Sequence, residues 1–432
     1  MSHRSDRTLD VRSLARVEGE GAMHVRVREG RVEDVRLEIY EPPRFFEAFL
    51  RGRSYTEPPD ITSRICGICP VAYQLSACRA VEDACGVTVD GPLGDLRRLL
   101  YCGEWIESHA LHIYLLHAPD FLGYPGAIEL AQRHPDVVTR GLALKKAGND
   151  VMELIGGRAI HPVNVRVGGF YRAPTRAELA TLAGPLRAAL DHALDTARWV
   201  AAFEFPDFRH DHEMLALADP DRYAIERGSV VTTGGLAFEV RDFEEYVVEE
   251  QVPHSTALHA TLAGRGRYLT GPVARYTLNQ HRLSPLAREV AAGIGLGERC
   301  DNPYRSILVR AVEIVYAVQE ALRLIEEYEP PPRPYVEVEP RAGTGRGATE
   351  APRGTLFHRY ALDAGGLVTA ARIVPPTAQN QASIEHDLRR FVADRLDLDD
   401  HRLTHACEQA IRNYDPCISC ATHFLDLTVE RL

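Results

Sequence analysis

Two pairs of cysteines are the part of this sequence best suited to metal or redox chemistry. Cys66 and Cys69 form a C-x-x-C pair near the N-terminus, and Cys417 and Cys420 form a second pair near the C-terminus. A C-x-x-C turn points both sulfurs to one side, so the two pairs together could supply four thiolates to a single site. Thiolates are soft ligands that select zinc, copper(I), iron–sulfur clusters or a thiophilic metal such as nickel.

Spacing alone leaves the identity of the metal open and somewhat favours structural zinc over a redox metal. A thioredoxin-like dithiol is less favoured, because neither pair lies on a βαβ pattern. The flanking sequences argue against zinc. Zinc ribbons repeat similar knuckles a short distance apart, whereas these pairs are far apart and have unlike flanks.

Composition narrows the class of protein. The chain has 432 residues, 45% of them hydrophobic, which is enough for a large buried core. The net charge of −11, without a basic stripe, makes nucleic acid an unsuitable partner. No apolar run approaches the ~18–20 residues that span a bilayer, so we expect no direct membrane insertion. The polar start, Met1 to Asp10, carries no apolar signal core, which favours the cytoplasm.

The total of nine cysteines is odd, which argues against a secreted disulfide framework. We expect the five cysteines outside the two pairs to be small buried hydrophobic residues. They are Cys78, Cys85, Cys102, Cys300 and Cys407.

Hydrophobic spacing predicts the elements that must position the cysteines. Alternation over 23–27 and 35–39, around Glu29-Gly30, predicts an N-terminal hairpin. Arg64 to Pro70 is predicted to be a loop that runs into a helix from about Val71. The last predicted helix stops at Asp415-Pro416, immediately before Cys417, so both pairs lie at loop–helix junctions.

Between the pairs, helical spacing predicts helices over about 96–113, 136–155 and 303–328. A capping box, Thr175-x-x-Glu178, opens another helix, which Pro185 should disturb locally. The other predicted features are strands over 229–233, 237–240, 335–338 and 367–374, a Gly-rich loop over 341–349, and helices over 383–396 and 402–413.

We predict a multidomain chain, mainly α with α+β parts. Residues 1–70 hold the hairpin and the first cysteine pair. Residues 71–330 form a mainly helical body with a mixed α+β insertion near 204–270. Residues 331–432 form a C-terminal α+β part with the second pair.

The flanks of the cysteines resemble a known family. R-I-C-G-I-C-P (64–70) and D-P-C-x-x-C-x-x-H (415–423) resemble the paired signature of nickel–iron hydrogenase large subunits. Further segments match in order along nearly the whole chain. They are Arg16-Val17-Glu18-Gly19, Arg44-Phe45-Phe46-Glu47, Ser108-His109-x-Leu111-His112, Gly157-Arg158-x-x-His161-Pro162 and Ala351-Pro352-Arg353-Gly354. The segments P-V-A-Y-Q, C-A-T-H and E-P-P-R-F-F-E look like the cytoplasmic, NAD(P)-linked branch, or sulfhydrogenases.

The resemblance implies the hydrogenase large-subunit fold and a Ni–Fe(CO)(CN)2 centre. Cys66 and Cys417 would be terminal nickel ligands, and Cys69 and Cys420 would bridge nickel to iron. The activity implied is reversible heterolytic oxidation of H2 to protons and electrons.

The resemblance also implies roles for charged residues near the metals. Glu18 resembles the proton-exit glutamate, although from the residues alone a surface salt bridge is the simpler interpretation. Arg353 resembles an arginine held over the open metal face, and its simpler interpretation is a residue of a Pro-Gly turn. Asp120 and Asp415 resemble acids that would hold Arg353 by charge-assisted hydrogen bonds, although Asp415 also suits a turn before proline.

Glu47 and His423 resemble ligands of a magnesium ion near the C-terminus, where histidine is unusual for a hard cation. We expect His109, His112 and His161 to be structural, since a lone helical histidine usually has its hydrogen bonds satisfied.

The chain lacks the motifs for iron–sulfur clusters and for nucleotide binding, which indicates that partner subunits carry these functions. It has too few further cysteines for a chain of iron–sulfur clusters, and no G-x-G-x-x-G follows a predicted strand. Electrons would therefore leave through an iron–sulfur small subunit and reach NAD(P) through a diaphorase module carrying FAD. Maturation proteins, including an endopeptidase, would act on the chain.

The sequence departs from the family pattern at one residue and in its C-terminal tail. Tyr73 stands where many relatives have a histidine near the bridging sulfur. Family precursors are commonly cut after the residue that matches His423, yet Phe424 to Leu432 alternate like a strand, which leaves a cleaved peptide and a retained strand both open.

Alternative functions are a hydrogen-sensing regulatory subunit with the same metal site, a descendant resembling the related respiratory complex I subunit, and a structural four-cysteine zinc protein. The presence of all four cysteines argues against the complex I type of descendant.

Overall fold

The computed structural model describes residues 6–41 and 45–422, and the elements below belong to those residues. The helices are α1 (Phe46–Leu50), α2 (Pro58–Thr62), α3 (Pro70–Cys85), α4 (Gly91–Leu111), α5 (Ala118–Leu122), α6 (Ala127–Arg133), α7 (Pro135–Gly156), α8 (Arg176–Ala201), α9 (Phe243–Tyr246), α10 (Pro272–Asn279), α11 (Pro285–Gly293), α12 (Ser306–Glu326), α13 (Pro376–Ala393), α14 (Asp400–Arg412) and α15 (Ile418–Ala421). The strands are β1 (Arg7–Val11), β2 (Gly21–Arg28), β3 (Arg31–Ile39), β4 (Val165–Arg166), β5 (Gly169–Phe170), β6 (Glu213–Ala218), β7 (Ser229–Thr232), β8 (Ala237–Phe238), β9 (Val247–Gln251), β10 (Leu258–Leu262), β11 (Tyr268–Leu269), β12 (Gly343–Ala351), β13 (Gly354–Leu362) and β14 (Val368–Val374).

Four long helices form the body of the fold. α4 packs on α7 and α12, and α8 packs on the same two helices. Gly103 and Gly148 let α4 and α7 approach closely, since a Cβ on Gly148 would lie 2.5 Å from the Gly103 carbonyl oxygen. The predicted capping box of Thr175 and Glu178 is confirmed at the start of α8. α8 continues through Pro185, so the proline does not end the helix, and α7 and α12 pack along it.

The predicted N-terminal hairpin is confirmed as β2 and β3, with Glu29 and Gly30 at positive φ in its turn. The added strand β1 pairs antiparallel with β2. Sequence spacing missed it because, of its residues, only Leu9 is buried. The inner face of this sheet packs against α13 and α14, which lead to the second cysteine pair.

The predicted Gly-rich loop over 341–349 is wrong, because most of it is the strand β12. β12, β13 and β14 form an antiparallel sheet whose first strand lies against α3. Gly345 and Gly347 fit this contact: a Cβ on Gly345 would lie 2.0 Å from the Ala80 carbonyl oxygen, and one on Gly347 would lie 2.6 Å from that of Ser76. The glycines thus mark a close strand–helix approach and do not mark a turn.

The predicted strand over 335–338 is also wrong. Tyr335 makes a single bridge with Gly169, and the residues after it are irregular. The proline-rich segment before it contributes few backbone N–H groups, which limits strand pairing. The mixed region near 204–270 contains β6 to β11, including the predicted strands β7 and β8.

One large hydrophobic core draws residues from across the chain, from Leu50 to Cys420, and includes both cysteine pairs. The first and last segments therefore meet inside the protein. Among the described residues, no helix combines the length and hydropathy required to cross a membrane.

The contact between β12 and α3 predicts the effect of Gly345→Ala. The added methyl would meet the backbone of Ala80 and Ala84, so we expect a loss of about 1–3 kcal/mol in the free energy of unfolding, measured with urea. The control is Gly293→Ala at the exposed end of α11, where a Cβ would contact nothing within 4 Å. It should leave stability unchanged or raise it by up to about 1 kcal/mol. Equal stability of the two variants would contradict this account of the glycines.

Candidate metal centre

The two cysteine pairs meet in one buried cluster. The Sγ atoms of Cys66, Cys69, Cys417 and Cys420 all lie within 4.8 Å of one another. Cys66 Sγ lies 3.6 Å from Cys417 Sγ, and Cys417 Sγ lies 2.6 Å from Cys420 Sγ. Each cysteine is at most 6% exposed. The chain thus places four sulfur ligands around one point, out of contact with bulk water.

The electrostatics of this cluster suit a cation. Burial raises the pKa of the Cys417 thiol well above its usual value and raises that of Cys420 to about 11. Hydrogen bonds from the neighbouring thiols, Cys417 first, lower the pKa of Cys66 well below its usual value. One negative charge can therefore be shared among the four sulfurs, but four thiolates need a metal cation to neutralise them. The donor set fits nickel and iron in chemical softness and in number.

The first pair is fixed by the start of α3. Cys66 Sγ accepts hydrogen bonds from the backbone N–H groups of Ile68 and Cys69, each at 3.3 Å. Helix α3 begins at Pro70, and proline suits this first position because an N–H there would have no partner within the helix. The next N–H groups, of Val71 and Ala72, donate to the carboxyl group of Glu104 on α4, at 2.6 and 3.1 Å.

Glu104 thus anchors the helix that starts immediately after Cys69. It is fully buried, and burial raises its pKa well above the usual value. Sequence spacing did not single it out, because a glutamate inside an apolar helix pattern has no distinctive neighbour in the sequence. Its role depends on the packing of α4 against the first turn of α3.

The second pair follows a strained turn. Asp415 has a φ of +50°, a conformation that L residues seldom adopt outside turns. The backbone N–H of Cys417 donates to Thr377 Oγ1 at 2.9 Å, near the start of α13. The Arg412 carbonyl accepts a hydrogen bond from His112 Nε2 at 2.9 Å, and the Asn413 carbonyl accepts one from Ser306 Oγ at 2.8 Å. The turn before Cys417 is therefore held from several elements.

Glu18 reaches the cluster from the N-terminal segment. Its Oε2 accepts hydrogen bonds from the Cys417 thiol and from the backbone N–H of Ser419, each at 3.1 Å. The Glu18 carbonyl also accepts from the N–H of Ile418 at 2.9 Å. Gly19, at φ +85°, leaves the room this contact needs, since a Cβ there would lie 2.7 Å from the Ser419 nitrogen.

Ser419 connects Glu18 to a second carboxylate that sequence reasoning missed. Ser419 Oγ donates to the carboxylate of Glu41, 3.0 and 2.8 Å from its two oxygens. Glu41 is partly exposed. The only sequence signal for Glu41 was its position at the start of the E-P-P segment. The fold shows why it reaches Ser419, because Glu41 follows the end of β3, which lies beside α15.

Arg353 and Asp415 form a buried pair close to the sulfurs. Arg353 Nε donates to the Asp415 carbonyl at 3.0 Å, and Nη2 donates to Oδ1 at 3.1 Å. Burial opposes the charge on Arg353, but Asp415 and the cysteines outweigh it and hold the arginine pKa well above its usual value. Among the described residues, Arg353 Nη1 is buried without a hydrogen-bond partner. This N–H group is available for a ligand at the metals.

The expectation that Asp120 also holds Arg353 is wrong. Asp120 accepts hydrogen bonds from Arg412 Nε at 2.7 Å and Nη2 at 2.9 Å, and it pairs with Arg16 as well. Its two carboxylate oxygens are thereby committed to these two guanidinium groups. Arg16 lies two residues before Glu18, and Arg412 lies at the end of α14. Asp120 therefore ties together the segments that carry Glu18 and Cys417.

Glu47 lies beside a small cavity next to the second pair. Its Oε1 accepts a hydrogen bond from the backbone N–H of Ile373 at 2.8 Å. The cavity measures about 30 Å³, and its lining includes Glu47, Glu249, Cys420 and Thr422. That volume suits one or two waters, or a bare cation in place of one of them. His423, the other expected magnesium ligand, lies outside the described residues, as do the tail residues Phe424 to Leu432.

Tyr73 projects toward the cluster from one turn beyond Cys69. Its hydroxyl is buried and has no hydrogen-bond partner among the described residues. Burial, with the four cysteines next in effect, raises the tyrosine pKa well above its usual value. The hydroxyl is therefore a neutral O–H donor near the sulfurs. His358, whose ring centre lies 5.7 Å from that of Tyr73, donates or accepts at Tyr360 instead.

Of the three histidines expected to be structural, His112 and His161 are hydrogen-bonded, whereas His109 has a close acidic neighbour but no hydrogen bond of good geometry among the described residues. His109 Nε2 lies 2.8 Å from Glu313, and burial lowers the pKa of His109 to about 4. His112 accepts from Arg310 Nε at 3.0 Å, in addition to its bond to Arg412. His161 Nδ1 donates to the Ser63 carbonyl at 2.8 Å.

Comparison with known proteins finds nickel-dependent hydrogenases, which is consistent with the buried cluster of four cysteines. The family described as nickel-dependent hydrogenase matches residues 44–139. Sulfhydrogenase 1 subunit alpha of Pyrococcus furiosus is 34% identical over 423 residues, covering 97% of this chain and 98% of that protein. The NAD-reducing hydrogenase HoxS subunit beta of Cupriavidus necator is 28% identical, covering 97% and 95%.

Among solved structures, an NAD+-reducing [NiFe]-hydrogenase in the H2-reduced state superposes with a TM-score of 0.88 at 27% identity, covering 96% of this chain and 99% of that one. The Ni-Fe-Se hydrogenase of Desulfovibrio vulgaris Hildenborough gives 0.77 at 22% identity, covering 97% and 100%, which shows the shared fold. The expected large-subunit fold is confirmed. With the buried four-cysteine cluster and a full-length relative above 30% identity, the chain belongs to the nickel-dependent hydrogenases, as a catalytic subunit similar to the sulfhydrogenase alpha subunits.

Proposed function

We propose that this subunit oxidises H2 reversibly at a Ni–Fe(CO)(CN)2 centre held by its four cysteines, and that partner subunits pass the electrons to NAD(P). The observation that carries the proposal is the buried set of four sulfurs in contact with the carboxylate of Glu18. In this assignment Cys66, Cys69, Cys417 and Cys420 would together hold the nickel and the iron through their thiolates.

When bound, the nickel–iron centre supplies two-electron chemistry that separates H2 heterolytically. The protein has to hold the metals, exclude bulk water and remove the proton. The full burial of the cysteines serves the first two needs, because a low dielectric strengthens every charge interaction in the site.

Glu18 is the group that takes the proton away. It lies 3.1 Å from Cys417 Sγ, within reach of direct transfer from a thiol. Ser419 lies between Glu18 and partly exposed Glu41, since its backbone N–H donates to Glu18 and its Oγ donates to Glu41. Because a backbone N–H cannot accept the proton, transfer from Glu18 toward Glu41 and solvent would require a bridging water or a rotation of the Glu18 or Ser419 side chain.

Arg353 serves as a fixed positive charge over the metals. Asp415 holds it at Nε and Nη2, which leaves Nη1 directed at no other described group. An arginine with a raised pKa remains protonated, so its action is electrostatic and it does not serve as a base. Glu47, which lines the small cavity beside Cys420, is assigned to a magnesium ion, and the family resemblance adds His423 as a second ligand.

Electrons have to leave through partners. Among the described residues, the five cysteines outside the cluster form no group that could hold a further metal. The Pyrococcus relative is an alpha subunit, and the HoxS relative is one subunit of an NAD-reducing hydrogenase, which supports a multisubunit complex. We assign the relay to an iron–sulfur small subunit and a flavin module for NAD(P). Such a complex would work in the cytoplasm, with maturation proteins, including an endopeptidase, acting on the chain.

Metal loading tests this assignment most directly. In the complex purified with its partners, we expect one carbon monoxide and two cyanide bands in the infrared, together with nickel by elemental analysis. Cys417→Ser should lose the nickel and the bands, because a serine hydroxyl is too hard and too weakly acidic to replace a thiolate. Cys85→Ser on α3, buried but outside the cluster, should retain both. Zinc in place of nickel, without these bands, would instead support the structural zinc protein.

Proton transfer predicts the effect of Glu18→Gln. Glutamine keeps the acceptor for the Ser419 N–H but cannot ionise, so H2 oxidation should fall by about 10²–10⁴-fold while the infrared bands remain. The control is Glu20→Gln in the same segment, which is exposed and should keep its rate. Unchanged turnover in Glu18→Gln would show that the proton leaves by another route.

The electron route predicts that flavin is needed only for the last transfer. Removal of FAD from the complex should abolish H2-dependent reduction of NAD(P) while reduction of an artificial dye continues, because the dye can accept electrons from the iron–sulfur clusters. Restoring FAD should restore NAD(P) reduction. Persistent NAD(P) reduction without flavin would contradict the diaphorase assignment. Negligible turnover with both acceptors in a fully loaded complex would favour the hydrogen sensor.

A further inference from the structure

Two histidines and a glutamate that the proposed reaction does not use lie together where β10 packs against α13. His254 lies in the turn before β10, His259 lies on β10, and Glu385 lies on α13. One ligand atom from each lies within 4.8 Å of the others. Among the described residues, this is the one group of potential metal ligands besides the four cysteines.

The state of His259 points to a missing partner. The residue is 5% exposed, and its Nε2 is buried and makes no hydrogen bond of good geometry among the described residues, although the Gln381 side chain lies beside it. A buried ring nitrogen without a partner is unfavourable and calls for an explanation. Its neighbours in the group are a second imidazole, with ring centres 5.6 Å apart, and the carboxylate of Glu385.

The other two ligands are already oriented. Glu385 Oε1 accepts a hydrogen bond from the backbone N–H of Leu37 at 2.9 Å and lies 2.8 Å from His254 Nε2. A backbone hydrogen bond that fixes a carboxylate is typical of the support around metal ligands. His254 and Glu385 are each about one-sixth exposed, with side-chain exposures of 17% and 16%, so an ion and a water can reach them.

We propose that His254, His259 and Glu385 form a second metal site, which takes a zinc-class divalent cation with water as its fourth ligand. Two imidazoles and one carboxylate suit zinc, whereas calcium and magnesium prefer an all-oxygen set. In a tetrahedral zinc site the ligand atoms lie about 3.3 Å apart. The ligand atoms here lie within 4.8 Å of one another, and His254 Nε2 and Glu385 Oε1, which are 2.8 Å apart, would separate slightly around the ion.

A cation at this site would stabilise the two elements that hold the second cysteine pair, namely the turn before β10 and helix α13. Ala257, between the two histidines, makes a β-bridge with Thr422, which follows Cys420. On α13, Thr377 accepts the hydrogen bond from the Cys417 N–H. A cation shared by the β10 turn and α13 would therefore cross-link two elements that hold the C-terminal ligands of the first metal centre. Its role is structural, and it is separate from the chemistry at the cysteines.

Zinc content tests the site in the intact, nickel-loaded complex after removal of loose metal with a chelating resin. We expect His259→Gln and Glu385→Gln each to contain one zinc per chain less than the unmodified complex. Glutamine at 385 keeps an acceptor for the Leu37 N–H, so this variant should fold even if His259→Gln does not. The matched control is His401→Gln on α14, where the histidine is exposed and should not affect zinc.

X-ray absorption at the zinc edge of the unmodified complex gives an independent result. Nitrogen and oxygen neighbours with imidazole scattering, lost in Glu385→Gln, would support the site. Sulfur neighbours would place the zinc at the cysteines and overturn the proposal. Equal zinc in the unmodified complex and in both site variants would also overturn it, and the three residues would then be an ion pair beside a buried histidine.

Discussion

Four cysteine sulfurs packed within 4.8 Å of one another in the protein interior are the constraint on which the rest of this structure depends. Four negative charges at such distances are stable only around a cation, so the folded chain is complementary to a metal. Because the two pairs come from opposite ends of the sequence, the metal also links the first and last segments. The hydrophobic core that surrounds them is continuous through the body of the protein.

Several buried ion pairs fix the first and last segments in position relative to each other. Asp120 binds Arg16 and Arg412 together, and thereby joins the segment of Glu18 to the segment of Cys417. Asp415 binds Arg353 from within the turn that precedes the second pair. Buried ion pairs contribute little net stability, but they are costly to break and they specify one arrangement. Here the arrangement they specify is the position of an acid and a guanidinium around the sulfurs.

The short segment Arg16-Val17-Glu18-Gly19 shows how a sequence pattern translates into geometry. Arg16, at positive φ, fixes the segment to Asp120, Glu18 contacts Cys417, and Gly19 makes room for the Ser419 backbone. Each residue has a separate physical task, and the tasks are connected only through the C-terminal loop. Glu41 extends the same loop contact to the protein surface.

The sequence by itself determined the soft-metal character of the site and the long helices of the body. Cysteine type and spacing specified a soft four-ligand site, and local signals such as the capping box at Thr175 specified where helices begin. The sequence could not distinguish a glycine-rich loop from a glycine-rich strand. Gly345 has to lack a side chain because its strand packs directly on the backbone of α3, which is remote in sequence. Only the tertiary structure decided that Asp120 pairs with Arg412, that Glu104 anchors the helix after Cys69, and that Glu41 contacts the same loop residue as Glu18. The physical reason is that a carboxylate binds the nearest suitable donor in space, and distances in space are set by packing of elements far apart in the chain.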